Sequence, residues 1–171
     1  MAPSLLSSDP TEAIDLAGVP VLAELVPFTA SDARELAHRF AGMLPWSRYP
    51  LSSAALEKYL GAHEVGAPRY SLRVSDAPAG ALGLRLNWLR GPYIQFLGII
   101  PEFQKSGLGA AILERVVAEA RTHAERNVWV AASSFNTQAL RFYERHGFER
   151  AASFDGLIQD SIDEVLLRKR L

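Results

Sequence analysis

Residues 104–109 read Gln-Lys-Ser-Gly-Leu-Gly, after an apolar run over 93–100 and a stop at Pro101, and ahead of a long helical pattern. Such a segment can grip an anion. Its small residues let backbone approach a ligand closely. The amides of the loop and of the first helical turn have no intrahelical acceptors, so they are free to donate to an anion, with the positive end of the helix dipole behind them. A diphosphate is the natural guest, held by backbone from Gln104 through Ser106, Gly107, Leu108 and Gly109 to about Ala110, with Lys105 adding a positive charge. Spacing excludes two familiar diphosphate loops. A Walker A loop ends in Gly-Lys-Ser/Thr, whereas Gly107 is followed by Leu108. A dinucleotide fingerprint needs a small residue where Ile112 stands, and an acid in the zone occupied by Arg126 and Asn127.

A second group lies in Asn136-Thr-Gln-Ala139-Leu-Arg-Phe-Tyr143-Glu-Arg-His-Gly147-Phe148. Asn136 and Tyr143 are two helical turns apart and can look into one cleft. A phenol with an ordinary pKa of about 10 suits the role of proton donor to a leaving group. Asn136 equally suits a helix N-cap.

The elements that must position these groups can be read from periodicity and punctuation. Strands are expected at 21–26, 70–74, 81–89 and 92–100, the last three forming an antiparallel meander across the turn-rich pieces 76–80 and 90–91. Ser31 is expected to cap a helix over 32–40, and Ser52 or Ser53 one over 54–62. Pro45 and Pro50 bracket a loop between those helices that carries Trp46 and Tyr49. A helix over 107–126 with apolar residues at 108, 112, 116 and 120 is followed by a buried strand at 128–132, a helix over 136–146 closed by Gly147, and strands at 148–154 and 164–168. The terminal Arg168-Lys-Arg170 suggests that the last strand is an edge.

The pattern Gln-x-x-Gly-x-Gly with its Ile-Ile-Pro lead-in, joined to Asn-x-x-Ala-x-x-x-Tyr-x-x-x-Gly-Phe, resembles the two motif blocks of the GNAT superfamily of N-acetyltransferases. The resemblance covers roughly residue 21 to the C-terminus, with its specific residues within 93–148. It implies a single α/β (α+β) domain over 21–171, with a mixed, largely antiparallel sheet of six to seven strands flanked by about four helices. It implies acetyl-CoA as cosubstrate, its pyrophosphate on residues 104–110 and its pantetheine arm along Leu97, Gly98 and Ile99, where the strand before the loop splays from 128–132. Asn136 then sits where the family contacts that arm. Tyr143 sits where the family places the general acid that protonates the departing thiolate. Acetyl transfer to a primary amine in a ternary complex follows.

A proton acceptor is also needed, because an alkylamine at neutral pH is uncharged in only about one molecule in a few thousand. The two positions at which the family carries a glutamate for this purpose hold Tyr93 and Ala132 here. The remaining candidates are Glu24, His63 and Asp155, with Asp160 and Asp163 nearby in the last loop. The acceptor region implied by the resemblance would be lined by Trp46, Tyr49, Trp88, Tyr93, Gln95, Phe154 and Asp160. Aromatics with acids suit an amine on an apolar body, so a small-molecule amine is the first expectation. The alternatives are a protein or peptide amine, or a catalytically silent CoA-binding regulatory module.

Composition narrows the field further. The formal net charge is −1 with acids and bases interspersed, so no basic field favours nucleic acid. The absence of cysteine excludes a thiolate nucleophile and an acyl-cysteine route. No spaced His or acid set suggests a metal, and no apolar run approaches the roughly 20 residues of a membrane span. A cytoplasmic protein is expected, with residues 1–20 as a loose tail or a short segment packed on the surface, and with strand edges offering a route to a homodimer.

Overall fold

The computed structural model describes residues 3–7 and 12–171. Among these, eight strands form one sheet and four α-helices cover its faces. The strands are β1 (Ile14–Asp15), β2 (Ala23–Pro27), β3 (Arg69–Val74), β4 (Ala77–Arg85), β5 (Tyr93–Ile99), β6 (Asn127–Ser133), β7 (Glu149–Phe154) and β8 (Glu164–Arg170). The helices are α1 (Ala30–Ala41), α2 (Ser53–Leu60), α3 (Leu108–Thr122) and α4 (Thr137–Arg145). Spatial order is β1-β2-β3-β4-β5-β6-β8-β7. Neighbours run antiparallel except β5 and β6, which pair in parallel at two positions, Tyr93 with Trp129 and Ile94 with Val130.

Two cores lie on opposite faces of the sheet, as the alternation of Ala81 and Leu82 requires. Leu36 and Phe40 of α1 and Leu56 and Leu60 of α2 pack with Ala81 and Phe96 on one face. Ile112 and Val116 of α3 and Leu140 and Tyr143 of α4 pack with Leu82, Leu84 and Ile94 on the other. Ile94 and Phe96 would share a face in a regular strand. They do not, because β5 carries one extra residue relative to β4: Gly83 pairs with Phe96 but Leu84 with Ile94, leaving Gln95 as the bulge.

Several sequence expectations change. The cap of α1 is Thr29, whose hydroxyl accepts from the Asp32 amide at 3.1 Å, and Ser31, two residues later, lies inside the first turn of the helix. β4 starts at Ala77 and not at 81. Ser75 and Asp76, at φ 48° and 69°, complete a tight two-residue hairpin, and Pro78 and Gly80 are absorbed at a bulge opposite Leu72 and Arg73. β4 ends at Arg85, since Asn87, Leu89 and Arg90 turn left-handed at φ 56°, 45° and 65°. The edge is β7, exposed at every residue, and β8 lies inside the sheet between β6 and β7. The charged end of β8 is used internally. Arg168 donates to the Asn127 side chain at 2.6 Å and lies over the Trp129 ring, and Lys169 donates to the His146 carbonyl.

The segment before residue 21, expected as a tail or surface piece, contributes to the core where it is described. Leu5, Ile14 and Leu16 are buried, β1 adds to β2, and Tyr70 donates to the Leu5 carbonyl at 3.1 Å. Its apolar residues are too sparse to show a period, so only the tertiary contact reveals them.

Candidate active site: two cavities joined at Tyr143

β5 and β6 part after Ile94 and Val130, and two cavities of about 520 Å³ each open at the gap. The first lies over the loop that leads into α3. Its walls include Leu97–Ile99 of β5, Gln104, Lys105 and Gly107–Ala110. Gln104 donates its side-chain amide to the Ile99 carbonyl at 2.8 Å, tying the loop to the end of β5. Lys105 at φ 60° and Gly107 at φ 86° are left-handed, so successive peptide groups wrap into a concave turn at the N-terminus of α3. A concave turn of this kind, at this place, is the shape that the sequence leads one to expect. Ser106 lies outside the cavity wall and donates instead to the Phe103 carbonyl. Arg145, at the end of α4, lines the same cavity and adds a second cation that the motif reading did not single out.

A closing wall comes from the loop after α1. Trp46 stacks on Phe96 at 4.6 Å between centroids and lies 4.9 Å from Phe40. This approach depends on Gly98, since a Cβ there would sit 2.7 Å from both the Phe40 and Trp46 rings.

The second cavity is bounded by α2, β5, β6 and the start of β8. Trp46, Tyr49, Tyr93 and Gln95 line it, as expected, together with Tyr59, Ser133 and Glu164. The bulge in β5 turns Gln95 and Phe96 to the same side: the Tyr59 hydroxyl donates to Gln95 at 3.3 Å, and the Tyr59 and Phe96 rings are 5.9 Å apart. Leu157 and Ile158, both more than half exposed, form the mouth.

The remaining acceptor-side expectations fall outside this cavity. Trp88 lies in the turn after β4 and packs on Tyr93 and Trp129. Phe154 ends the edge strand with its ring exposed, and Asp160 is exposed in the loop beyond. The proposed bases are also displaced. Glu24 lies in β2 opposite Arg73, His63 borders a separate pocket of about 100 Å³, and Asp155 is exposed in the β7–β8 turn. The acid that does line the cavity is Glu164. Its sequence signal was slight: a single acid leading the apolar run Val165-Leu-Leu167, readable as a strand boundary.

The two cavities share Pro45, Trp46, Leu97, Asn136, Ala139 and Tyr143. Asn136 caps α4, its side chain accepting from the Ala139 amide at 3.2 Å, so one residue holds the helix and borders both cavities. Tyr143 projects from the face of α4 two turns later and is buried. Burial, and secondarily the nearby Tyr93, pushes its phenol well above the ordinary value, so the hydroxyl keeps its proton at neutral pH. Tyr49 is pushed up to about 12, by burial first and then by its bond to Glu164.

Comparison with known proteins agrees with this geometry. The family model described as "Acetyltransferase (GNAT) family" matches residues 32–148. The ribosomal protein bS18-alanine N-acetyltransferase of Escherichia coli K12 is 26% identical over 115 residues, 67% of this chain and 69% of that protein. Among solved structures, Ard1 from Thermoplasma volcanium superposes with a TM-score of 0.70 at 15% identity, covering 87% and 97% of the two chains. A GNAT family acetyltransferase from Elizabethkingia anophelis with acetyl-CoA bound gives 0.62 at 17% identity, covering 87% and 98% of the two chains. The likeness to the solved structures concerns the fold, but the family match spans most of the chain, and this protein belongs to the GNAT family of acetyltransferases.

Proposed function

We propose that this protein transfers the acetyl group of acetyl-CoA to the primary amine of a small molecule, directly and without an acyl-enzyme. The observation that carries the reading is the meeting of two cavities at one buried phenol. GNAT acetyltransferases use acetyl-CoA, and the first cavity fits it: the left-handed turn at Lys105 and Gly107 offers amides to a diphosphate. Beyond Ile94 the edge of β5 has left β6, which leaves extended backbone for an arm to run along. When bound, acetyl-CoA supplies an acyl group activated as a thioester.

The residues of the chain supply the rest. Gln104, Lys105 and residues 107–110 hold the phosphates, with Arg145 beside them, and Leu97–Ile99 and Asn136 guide the arm. Tyr143 stands at the junction with its proton retained and gives that proton to the departing sulfur. Tyr49, Tyr59 and Tyr93 enclose the acceptor, and Trp46 separates it from the coenzyme side. The aromatic walls of the chamber favour a compact amine with an apolar body.

A protein N-terminal amine is the second reading, favoured by the bacterial relative named above and by an N-alpha-acetyltransferase 60 from Xenopus tropicalis that is 30% identical over 83 residues, 43% of this chain and 34% of that protein. The test is acetyl-CoA-dependent release of free thiol across polyamines, amino acids, aminoglycosides, arylamines and short peptides, after calorimetry establishes acetyl-CoA affinity. Turnover of a compact amine, with peptides inert, is the expected result. Turnover of peptides alone would replace it with the second reading, and lack of acetyl-CoA affinity would overturn both.

A further inference from the structure

Glu164 is 4% exposed at the start of β8, in register between Ser133 of β6 and Phe154 of β7. Tyr49 donates its hydroxyl to Glu164 Oε1, and the Ser133 hydroxyl in turn bonds Tyr49. Glu164 is the sole acid lining either cavity among the described residues, whereas the cations Lys105 and Arg145 line the coenzyme side alone. Burying a carboxylate is costly unless it is paired, and a phenol satisfies one of its roughly four lone-pair sites without neutralising it. The groups that face it are the hydroxyls of Tyr49 from the loop after α1, Tyr93 from β5 and Ser133 from β6, while β7 places the apolar Phe154 opposite. A negative site at the floor of an aromatic chamber calls for a cation.

We infer that Glu164 anchors the ammonium group of the acceptor and takes its first proton, with Tyr49 as the positioning residue that holds the carboxylate in place. The inference rests on the acetyl-transfer reading and names the residue that was missing from it. Tyr93 stands within electrostatic reach of both Glu164 and Tyr143, so the acid and the phenol face one chamber.

The proton and bond balance closes. The ammonium gives one proton to the Glu164 carboxylate, leaving a neutral amine. Its lone pair forms the C–N bond to the acetyl carbon as the C–S bond breaks and the electron pair leaves with sulfur. Tyr143 gives its phenolic proton to that sulfur, and the second nitrogen proton restores the phenol. Glu164 returns its proton to water at the open mouth beside Leu157 and Ile158. The neutral acid form of Glu164 is neither anchor nor acceptor, which is what an acid limb in the activity profile reads.

The test separates amine docking from acetyl transfer. Calorimetry without acetyl-CoA compares phenethylamine with its neutral isostere 2-phenylethanol. The wild-type protein is expected to prefer the amine by about tenfold or more, and Glu164→Gln to lose the preference while keeping its affinity for acetyl-CoA. With the fastest amine of the panel, Glu164→Gln is expected to lower kcat/KM by roughly 10²- to 10³-fold and to abolish the acid limb of its pH profile. Tyr49→Phe, which acts through Glu164, is expected to cost about tenfold and to weaken the preference for phenethylamine over 2-phenylethanol. Glu164→Asp retains a carboxylate and should retain the limb at reduced rate, which keeps the idea testable if the Gln variant folds poorly. Equal wild-type affinity for amine and alcohol, or an unchanged pH profile in Glu164→Gln, would overturn the inference. Loss of acetyl-CoA affinity in the wild-type protein would instead count against acetyl transfer itself.

Discussion

The two cavities are alike in volume and unlike in construction. The coenzyme side is built largely from two nearly continuous stretches, 97–110 and 136–145, and its working groups are mostly backbone: a left-handed turn, a helix N-terminus and a strand edge that has left its neighbour. The acceptor side is built from side chains that meet from far apart in sequence, with Tyr49, Tyr93, Ser133 and Glu164 coming from four different elements. A backbone cradle tolerates change in the side chains around it but not change in its path. A side-chain chamber should behave in the opposite way.

The sharpest test lies at the junction. Tyr143→Phe is expected to lower kcat by roughly 10²- to 10⁴-fold while leaving acetyl-CoA affinity and melting temperature near wild type, measured by steady-state kinetics, calorimetry and thermal denaturation. Full turnover in a folded Phe variant would remove the acid role.

Gly98→Val comes next and should damage both cavities together. Its side chain must displace Phe40 and Trp46, which a Cβ would approach to 2.7 Å, so a loss of about 1–3 kcal/mol is expected in chemical denaturation, with weaker binding on both sides. On the coenzyme side, Gly109→Val is expected to weaken acetyl-CoA about tenfold, since a Cβ there would already lie 3.2 Å from the Phe142 ring at the cavity wall. Unlike a change in the loop alone, it should also lower the melting temperature modestly.

The phenols predict an alkaline limit. Tyr49, Tyr70 and Tyr143 all have raised values in the folded protein, Tyr49 to about 12. A raised value means that the unfolded chain loses these protons first. The stabilisation is therefore complete below the unfolded value of about 10 and declines as pH rises through the folded values, at up to about 1.4 kcal/mol per pH unit for each phenol. Denaturant titrations from pH 8 to 11 should be flat to about pH 10 and then fall, with a smaller fall in Tyr70→Phe. The smallest effect is expected from Tyr59→Phe, whose exposed 3.3 Å bond to Gln95 should contribute under about 1 kcal/mol to stability while altering the acceptor KM.

How much of this was legible followed the same division. The loop over 104–109 could be read because a backbone cradle leaves a local trace, glycine at Gly107 where φ is +86°, ahead of an amphipathic helix. Tyr143 could be read because Asn136 and Tyr143 lie on one helix, where spacing fixes the face. Trp88 and Phe154 were misplaced because an aromatic residue gives the same local signal in a chamber, a turn or an edge strand. Glu24, His63 and Asp155 were proposed for their chemistry, but nothing in the chain near them records which cavity they border. Glu164 needed the knowledge that β8 lies between β6 and β7.

Sequence by itself carried the left-handed turn before α3 and the helix that presents Tyr143, because each is written in short-range periodicity and in the special backbone freedom of particular residues, and its two motif blocks carried the resemblance that implied the fold class. Tertiary structure alone decided the register that brings Glu164 opposite Ser133, the approach of Tyr49 to both, the splay of β5 from β6 and the burial of Leu5 and Ile14. Those contacts join residues up to 115 positions apart, and their energies depend on burial and distance, which no local pattern encodes.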